Sequence, residues 1–269
     1  MTAIVERPAT ALSAWAERLN PREREAVSSP EDARAALVQH ALSTTHELAL
    51  GALTAVSESR GLLGAGGDLV DLIESEGHIV AVLGDVSGKG AAASLVAAVV
   101  LSSVQHHVAH RGPHPGAVLA AVDASVRGML ERTGALVTLV IVAVDPATST
   151  VRIASAGHHP VMLATATDTT RLTPACPPLG ADTPCGNELT LPFDASSVLV
   201  LASDGLTEEY DAYGAEFGLE RLGALATAAR HTTPRAALAR LFAAVDAHAG
   251  SAPATDDRAA IVITAGVDG

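Results

Sequence analysis

Four aspartates stand at the ends of apolar runs, and their spacing is that of a cation-binding site. Asp68 opens the run Asp68–Ile73, and Asp85 follows the run His78–Leu83. The two runs meet through Glu74-Ser75-Glu76-Gly77, a hairpin connection. The midpoint between the two aspartates falls inside that turn, so symmetric pairing makes them cross-strand neighbours. Opposed residues of an antiparallel pair hold their Cβ atoms roughly 4.5–5.5 Å apart. Carboxylates that close repel one another and need a proton or a cation. The pattern recurs near the C-terminus. Asp204 ends the run Val198–Ser203, and Asp256-Asp257 precede the run Ala259–Thr264. If those strands are antiparallel, Asp204 and Asp256 share one sheet edge. Oxygen ligands at four such positions suit hard divalent cations, Mn or Mg, much better than zinc.

Each aspartate alone is an ordinary turn former; the glycines around them add weight to the group. Gly66-Gly67 precede Asp68, and Gly84-Asp85-Val86-Ser87-Gly88-Lys89-Gly90 joins a strand to a helix. Glycine lets a backbone turn tightly and approach a ligand closely, and the N-terminus of the following helix favours an anion. The loop is not a Walker A motif, because Leu83 stands where its first glycine belongs and Gly90 replaces its Ser/Thr.

The elements that must position these residues follow from periodicity. Leu48–Val56 reads as a strand, and Gly88–His110 as a buried, proline-free helix rich in Ala and Val. Pro115–Arg132 is an amphipathic helix closed by Gly134. Leu136–Val144 and Val151–Ala156 flank a second hairpin turn, while residues 164–187 read as loop. Val198–Ala202 is a short buried strand. Helices are expected over Glu216–Arg230 and, capped by Thr233, over Pro234–His248, with a last strand at Ala259–Thr264. Ser29-Pro30-Glu31-Asp32 reads as the start of a further helix reaching Leu42. Hairpins dominate, so the sheets should be antiparallel and the class α+β.

Composition limits the function. The chain has 269 residues with 30 acidic and 17 basic side chains, a net charge of −13, which disfavours nucleic acid and anionic membrane surfaces as partners. The most apolar run, Ala91–Val104, is short for a bilayer span. No secretory signal pattern opens the chain, so a cytoplasmic location is expected, with Cys176 and Cys185 as unpaired thiols.

Five segments in order, GAGGDLVDLI (64–73), VAVLGDVSGKGAAASLVAA (80–98), TLVIVAVDPATSTVRIASAGHHPVML (138–163), VLVLASDGLTEEYDAYGAEFGLERL (198–222) and TDDRAAIVI (255–263), resemble the SpoIIE/RsbU branch of the metal-dependent protein phosphatase (PPM) family. The resemblance spans roughly 46–265. It implies a four-layer α-β-β-α sandwich of two mainly antiparallel sheets, a phosphatase domain over 46–269, and a helical regulatory segment over 1–45. It also implies a two-metal centre and hydrolysis of phosphoserine or phosphothreonine on a protein. Carried over by motif, Asp85 bridges both metals, the carbonyl of Val86 ligates one, Asp204 and Asp256 complete one shell, and Asp68 lies near the other. Catalysis would then rest on Asp85 and Asp204. The implied substrate is a phosphorylated STAS-type anti-sigma-factor antagonist of a bacterial partner-switching pathway, with an activator protein or self-association acting through the N-terminal helix.

The chain also departs from the family pattern. Ser87 stands where many eukaryotic members carry a histidine general acid, and no arginine before Asp68 clearly matches their phosphate-binding residue; Arg60 is near only in sequence. Lys89 is either a positive charge beside a phosphate or a turn residue. Asp257 is expected to support the ligands. His106, His107, His110 and His114 fit a helix C-terminus, and His158-His159 fit a turn. Thr207–Gly218 should overhang the site as a recognition element. A second reading, from a different class, is a catalytically idle phosphatase fold that binds protein partners.

Overall fold

The computed structural model describes residues 46–60, 66–181, 185–252 and 254–266. The expected helix over 29–42, and with it the segment 1–45, lies outside the described residues. One sheet contains, in spatial order, β1 (Glu47–Leu50), β2 (Leu53–Arg60), β11 (Arg258–Ala265), β10 (Val198–Ala202), β7 (Val161–Ala164) and β8 (Thr169–Leu172). The other contains β3 (Leu69–Ser75), β4 (His78–Val86), β5 (Val137–Asp145), β6 (Thr150–Ala156) and β9 (Leu189–Pro192). Every ladder in both sheets is antiparallel. Helices α1 (Ala91–Arg111) and α2 (Pro115–Thr133) cover the five-stranded sheet. A single turn, α3 (Asp204–Thr207), follows β10, and α4 (Leu219–Ala229) and α5 (Pro234–Ala249) cover the six-stranded sheet.

The layering follows from strand periodicity. Successive side chains point to opposite faces, and both faces of each sheet are covered. In β4, Val80, Val82 and Val86 pack toward α1 and α2, while Ile79, Ala81 and Leu83 pack toward the other sheet. Along β11, Ala259, Ile261 and Ile263 enter the space between the sheets, and Ala260 and Val262 face α4 and α5. Central strands buried on both sides therefore read as continuous apolar runs, although they are antiparallel. The order of layers is helix, sheet, sheet, helix, as the family resemblance implied. α1 is long and apolar enough by length and composition to cross a membrane, but here Ala93, Ala97, Val100, Leu101, Val104 and Val108 form one wall of a core.

Three local expectations need correction. The run Leu48–Val56 is a hairpin rather than one strand, turning at Gly51-Ala52 with Gly51 at φ 58°. Residues 164–187 are not all loop, since Thr169–Leu172 adds an edge strand to β7. Cys176 and Cys185 are joined in a disulfide, with Cα atoms 5.7 Å apart. Both are held against the end of β6. Cys176 O accepts from Gly157 N at 2.8 Å, and the buried Cys185 lies 3.8 Å from Ser155 O. The thiols thus converge through a strand that neither belongs to.

Candidate active site

The β3–β4 ladder runs Leu69↔Gly84 to Ser75↔His78. One step beyond its open end lie Asp68 and Asp85, so the cross-strand relationship expected from the turn is the observed register. Gly67 closes the corner: its carbonyl accepts from Val86 N at 3.2 Å. A Cβ on Gly67 would stand 2.6 Å from Val86 O and 2.7 Å from Asp85 Oδ1, and one on Gly66 would overlap the Asp257 carboxylate at 1.9 Å. No larger residue fits either position, which is the physical content of the Gly-Gly-Asp sequence.

The second pair arrives from the other sheet. β10 and β11 pair Ala202 with Ala260, and beyond that rung Ser203 stands at the N-terminus of α3, with Asp204 in its first turn. Gly205 lets the Asp256-Asp257 segment pass directly over α3; a Cβ there would meet Asp257 O at 1.9 Å and Asp256 Cβ at 3.2 Å. Two contacts tie the halves together. Ser203 Oγ donates to Asp68 Oδ2 at 3.0 Å and accepts from Ala259 N at 2.9 Å. Asp257 Oδ2 accepts from Gly67 N at 2.8 Å. The predicted residues Asp68, Asp85, Val86, Asp204 and Asp256 thus come to one end of the paired sheets.

Burial and like charge dominate the electrostatics. Asp68 is buried, and desolvation first, then Asp257 and Asp85, raise its carboxyl well above the usual range against the opposing Ser203 bond. Asp85 is pushed up to about 7, by desolvation first and then by Asp204, Asp256 and Asp257. Glu208, just beyond α3, is raised by burial and by Asp204. Among the described residues, no three His, Cys, Asp or Glu side chains are closed into a metal-holding group. The carboxylates nevertheless lie within electrostatic reach of one another, each raising its neighbours. Oxygen donors, like charge and raised carboxyl groups together fit a hard divalent cation.

Ser87 clips its loop to Leu136, whose amide donates to Ser87 Oγ at 2.9 Å while Ser87 N donates to Leu136 O at 2.9 Å. Arg60 faces away into ion pairs with Glu58 and Asp246, with its guanidinium over the Phe242 ring. Asp257 accepts from Gly67 N and so braces the Gly67 corner.

Sequence reasoning missed two buried ties. His158 is more than a turn residue. Its Nδ1 accepts from Thr138 Oγ1 at 2.9 Å and its Nε2 donates to Ala202 O at 3.2 Å, so one neutral imidazole joins the two sheets. Burial lowers its pKa to about 4. Thr138 is the β5 neighbour of Asp85, and Ala202 lies two residues before Asp204. The second tie is Glu209–Arg258. Arg258 Nε donates to Glu209 Oε2 at 3.1 Å, its Nη2 lies 2.8 Å from the same oxygen, and its Nη1 donates to Asp246 at 2.9 Å. The sequence reading put Glu209 in the overhanging segment Thr207–Gly218, but Glu209 is buried, as are Thr207 and Phe217 at the segment's two ends. Beyond Glu209, Tyr210–Glu216 projects as an exposed loop with Tyr213 at its tip.

The fold and this cluster of strand-end carboxylates define a phosphatase domain of PP2C type. The profile of the family Stage II sporulation protein E (SpoIIE) matches residues 75–266, and the chain belongs to that family. Among solved structures, the SiaA-PP2C domain of Pseudomonas aeruginosa is 22% identical, covering 87% of this chain and 95% of that one, with a TM-score of 0.75. The RsbU and RsbW domains of a Mycobacterium tuberculosis protein align with a TM-score of 0.65 at 21% identity, over 80% of this chain and 61% of that one. The catalytic domain of the serine/threonine phosphatase PstP, in complex with two manganese ions, aligns at 0.60 and 14% identity, over 79% and 97%. No curated protein matches the chain by sequence.

Proposed function

We propose that this chain is a Mn- or Mg-dependent phosphoprotein phosphatase whose substrate is a phosphorylated STAS-type anti-sigma-factor antagonist. The observation that carries the reading is the mutual pressure of Asp68, Asp85, Asp204 and Asp256 at one end of the paired sheets. Two divalent cations, if bound there, would supply an activated water and neutralise phosphoryl charge. Asp68, Asp85, the Val86 carbonyl, Asp204 and Asp256 are the residues that would hold them.

The chain's own groups do the positioning. Ser203 and Asp257 hold the two sheet ends in register, and Gly66 and Gly67 admit the carboxylates to the corner. Ser87 is occupied with Leu136 and leaves no histidine-like general acid at that position. The exposed loop Tyr210–Glu216, which follows Asp204 in the chain, would offer Tyr213 to a protein substrate. The reading takes 46–269 as the phosphatase domain and 1–45 as the regulatory segment, and it places the protein in the cytoplasm, where such substrates occur.

A purified STAS-domain phosphoprotein tests this directly. The full chain with Mn should release phosphate from it, Asp204→Asn should not, and free phosphoserine should be a poor substrate. Equal rates on phosphoprotein and phosphoserine would remove the protein-substrate assignment. Removal of residues 1–45 should change activity or oligomeric state. One observation favours the idle-fold alternative: no closed ligand group is present among the described residues. In that case Mn and Mg would fail to bind, and the STAS protein would bind without losing phosphate.

A further inference from the structure

Lys89 is the sole lysine of the chain; the other sixteen basic residues are arginines. It stands in the loop between Asp85 and α1. Its Nζ lies 2.9 Å from Asp256 Oδ2 and also donates to Thr255 O. Both side chains are about half exposed, at 47% and 45%, so packing locks neither in place. Gly88 and Gly90, at φ 102° and 74°, flank it and set the backbone that carries it over the site. The nearby arginines are committed elsewhere: Arg60 to Glu58 and Asp246, and Arg258 to Glu209 and Asp246. Among the described ion pairs, Lys89 is the cation that reaches the carboxylate cluster.

We propose that Lys89 is an exchanging counter-ion. It neutralises Asp256 while the carboxylates lack a divalent cation, and once they hold one it turns to the phosphoryl group of the substrate. This rests on the phosphatase reading above and deepens it by naming the protein group that recognises the phosphate. A divalent cation held by the Asp256 carboxylate repels the ammonium on Oδ2 and draws off the charge that held it, so cation binding weakens that contact and frees the ammonium to reorient. A phosphoryl dianion is then the anion the site offers, and an N–H donor to an anionic oxygen forms the stronger class of hydrogen bond. Lysine suits exchange better than arginine. Its charge is compact, its stem is flexible and its three donors rotate, whereas a guanidinium is a rigid fork.

The test uses the full chain and the variant Lys89→Met, with two readouts that must move in opposite directions. Mg affinity, measured by calorimetry without substrate, should tighten by about two- to fivefold, the range of one exposed ion pair. Inhibition of p-nitrophenyl phosphate hydrolysis by inorganic phosphate at saturating Mg should weaken by about tenfold or more, as for a lost hydrogen bond to a charged group. Lys89→Arg should restore much of the phosphate affinity.

A direct probe exploits the single lysine. Reductive methylation with a 13C label keeps the charge, and the Lys89 methyl resonance should move as Mg is added. It should move again on phosphate addition only when Mg is present. Weakening of both affinities in Lys89→Met would mark a purely structural role and overturn the proposal, as would two unchanged affinities or a resonance indifferent to Mg. Failure of the unmodified chain to bind Mg or Mn would instead sink the phosphatase reading, and this inference with it.

Discussion

Gly67 passes so close to Asp85 that a β-carbon on it would sit 2.7 Å from Asp85 Oδ1. The same atom would sit 2.6 Å from the Val86 carbonyl, so the glycine presses on both oxygens that sequence resemblance assigns to the metals. Gly67→Ala must move one of them. Supporting positions of metal sites typically alter affinity 10- to 100-fold, and a loss of about tenfold or more in Mn affinity is expected, with the far-UV circular dichroism of the sandwich retained. Unchanged Mn affinity would separate Gly67 from the site.

His158 gives a pH prediction. The folded protein holds it neutral with a pKa of about 4, whereas in the unfolded chain it titrates near 6.5. Between those values the unfolded state binds more protons, so this group's contribution to stability is whole above pH 6.5 and drains away as pH falls toward 4. The slope approaches about 1.4 kcal/mol per pH unit within the window. His158→Leu should flatten that part of the pH–stability curve. At pH 7.5 it should cost about 2 kcal/mol, because Thr138 Oγ1 and Ala202 O lose a partner. Denaturant unfolding at several pH values reads both effects.

How much of this was legible in the sequence depended on whether one residue run or a convergence of several carried the information. The Asp68–Asp85 relationship needed only a turn and a period of two, and the ladder from Leu69↔Gly84 to Ser75↔His78 bears it out. The longer strands and the helices were legible for the same reason, whereas the four-residue strands β7 and β9 were not marked, and the Thr233 cap of α5 accepts from Ala236 N as its type predicts. The β1–β2 hairpin was hidden because Gly51-Ala52 turns inside an apolar run. β8 was hidden because an exposed edge strand of Thr and Arg lacks the buried signature. The disulfide joins cysteines nine residues apart and was set aside on grounds of compartment; the His158 tie forms only when the two sheets stack, and the Glu209–Arg258 pair only when β10 and β11 lie side by side. The pattern of these two ties therefore exists in three dimensions and not along the chain.

The Glu209–Arg258 pair should behave as a buried ion pair does. Both side chains are almost fully enclosed, at 0% and 6% exposure. Arg258→Met alone strands a buried carboxylate and should cost about 3–5 kcal/mol, whereas the double change Glu209→Leu with Arg258→Met should recover most of that loss. Since the pair links the segment after Asp204 to the segment after Asp256, the single variant should also weaken Mn binding. A double-mutant cycle on thermal stability and Mn affinity measures both, and strict additivity would contradict the coupling.

Metal removal should matter more at alkaline than at acid pH. Asp85, raised to about 7, holds its proton in the fold at pH values where the unfolded chain has lost it. The metal-free protein therefore gains stability from this group at low pH and loses it as pH rises through about 7. Adding Mg should raise the melting temperature more at pH 8 than at pH 6. Asp85→Asn should lower that pH dependence, and thermal scans with Mg and with EDTA at the two pH values provide the comparison.

The central claim, that these strand-end carboxylates form a two-metal phosphatase centre, is tested most directly by hydrolysis of p-nitrophenyl phosphate. The full chain and Asp85→Asn should be assayed with Mn, with Mg and with EDTA, alongside Mn titration by calorimetry. The account predicts hydrolysis by the native chain only with Mn or Mg, with both hydrolysis and Mn binding abolished in Asp85→Asn. Native protein that binds neither ion, or an Asp85→Asn variant that binds Mn and turns over like the native chain, would contradict it.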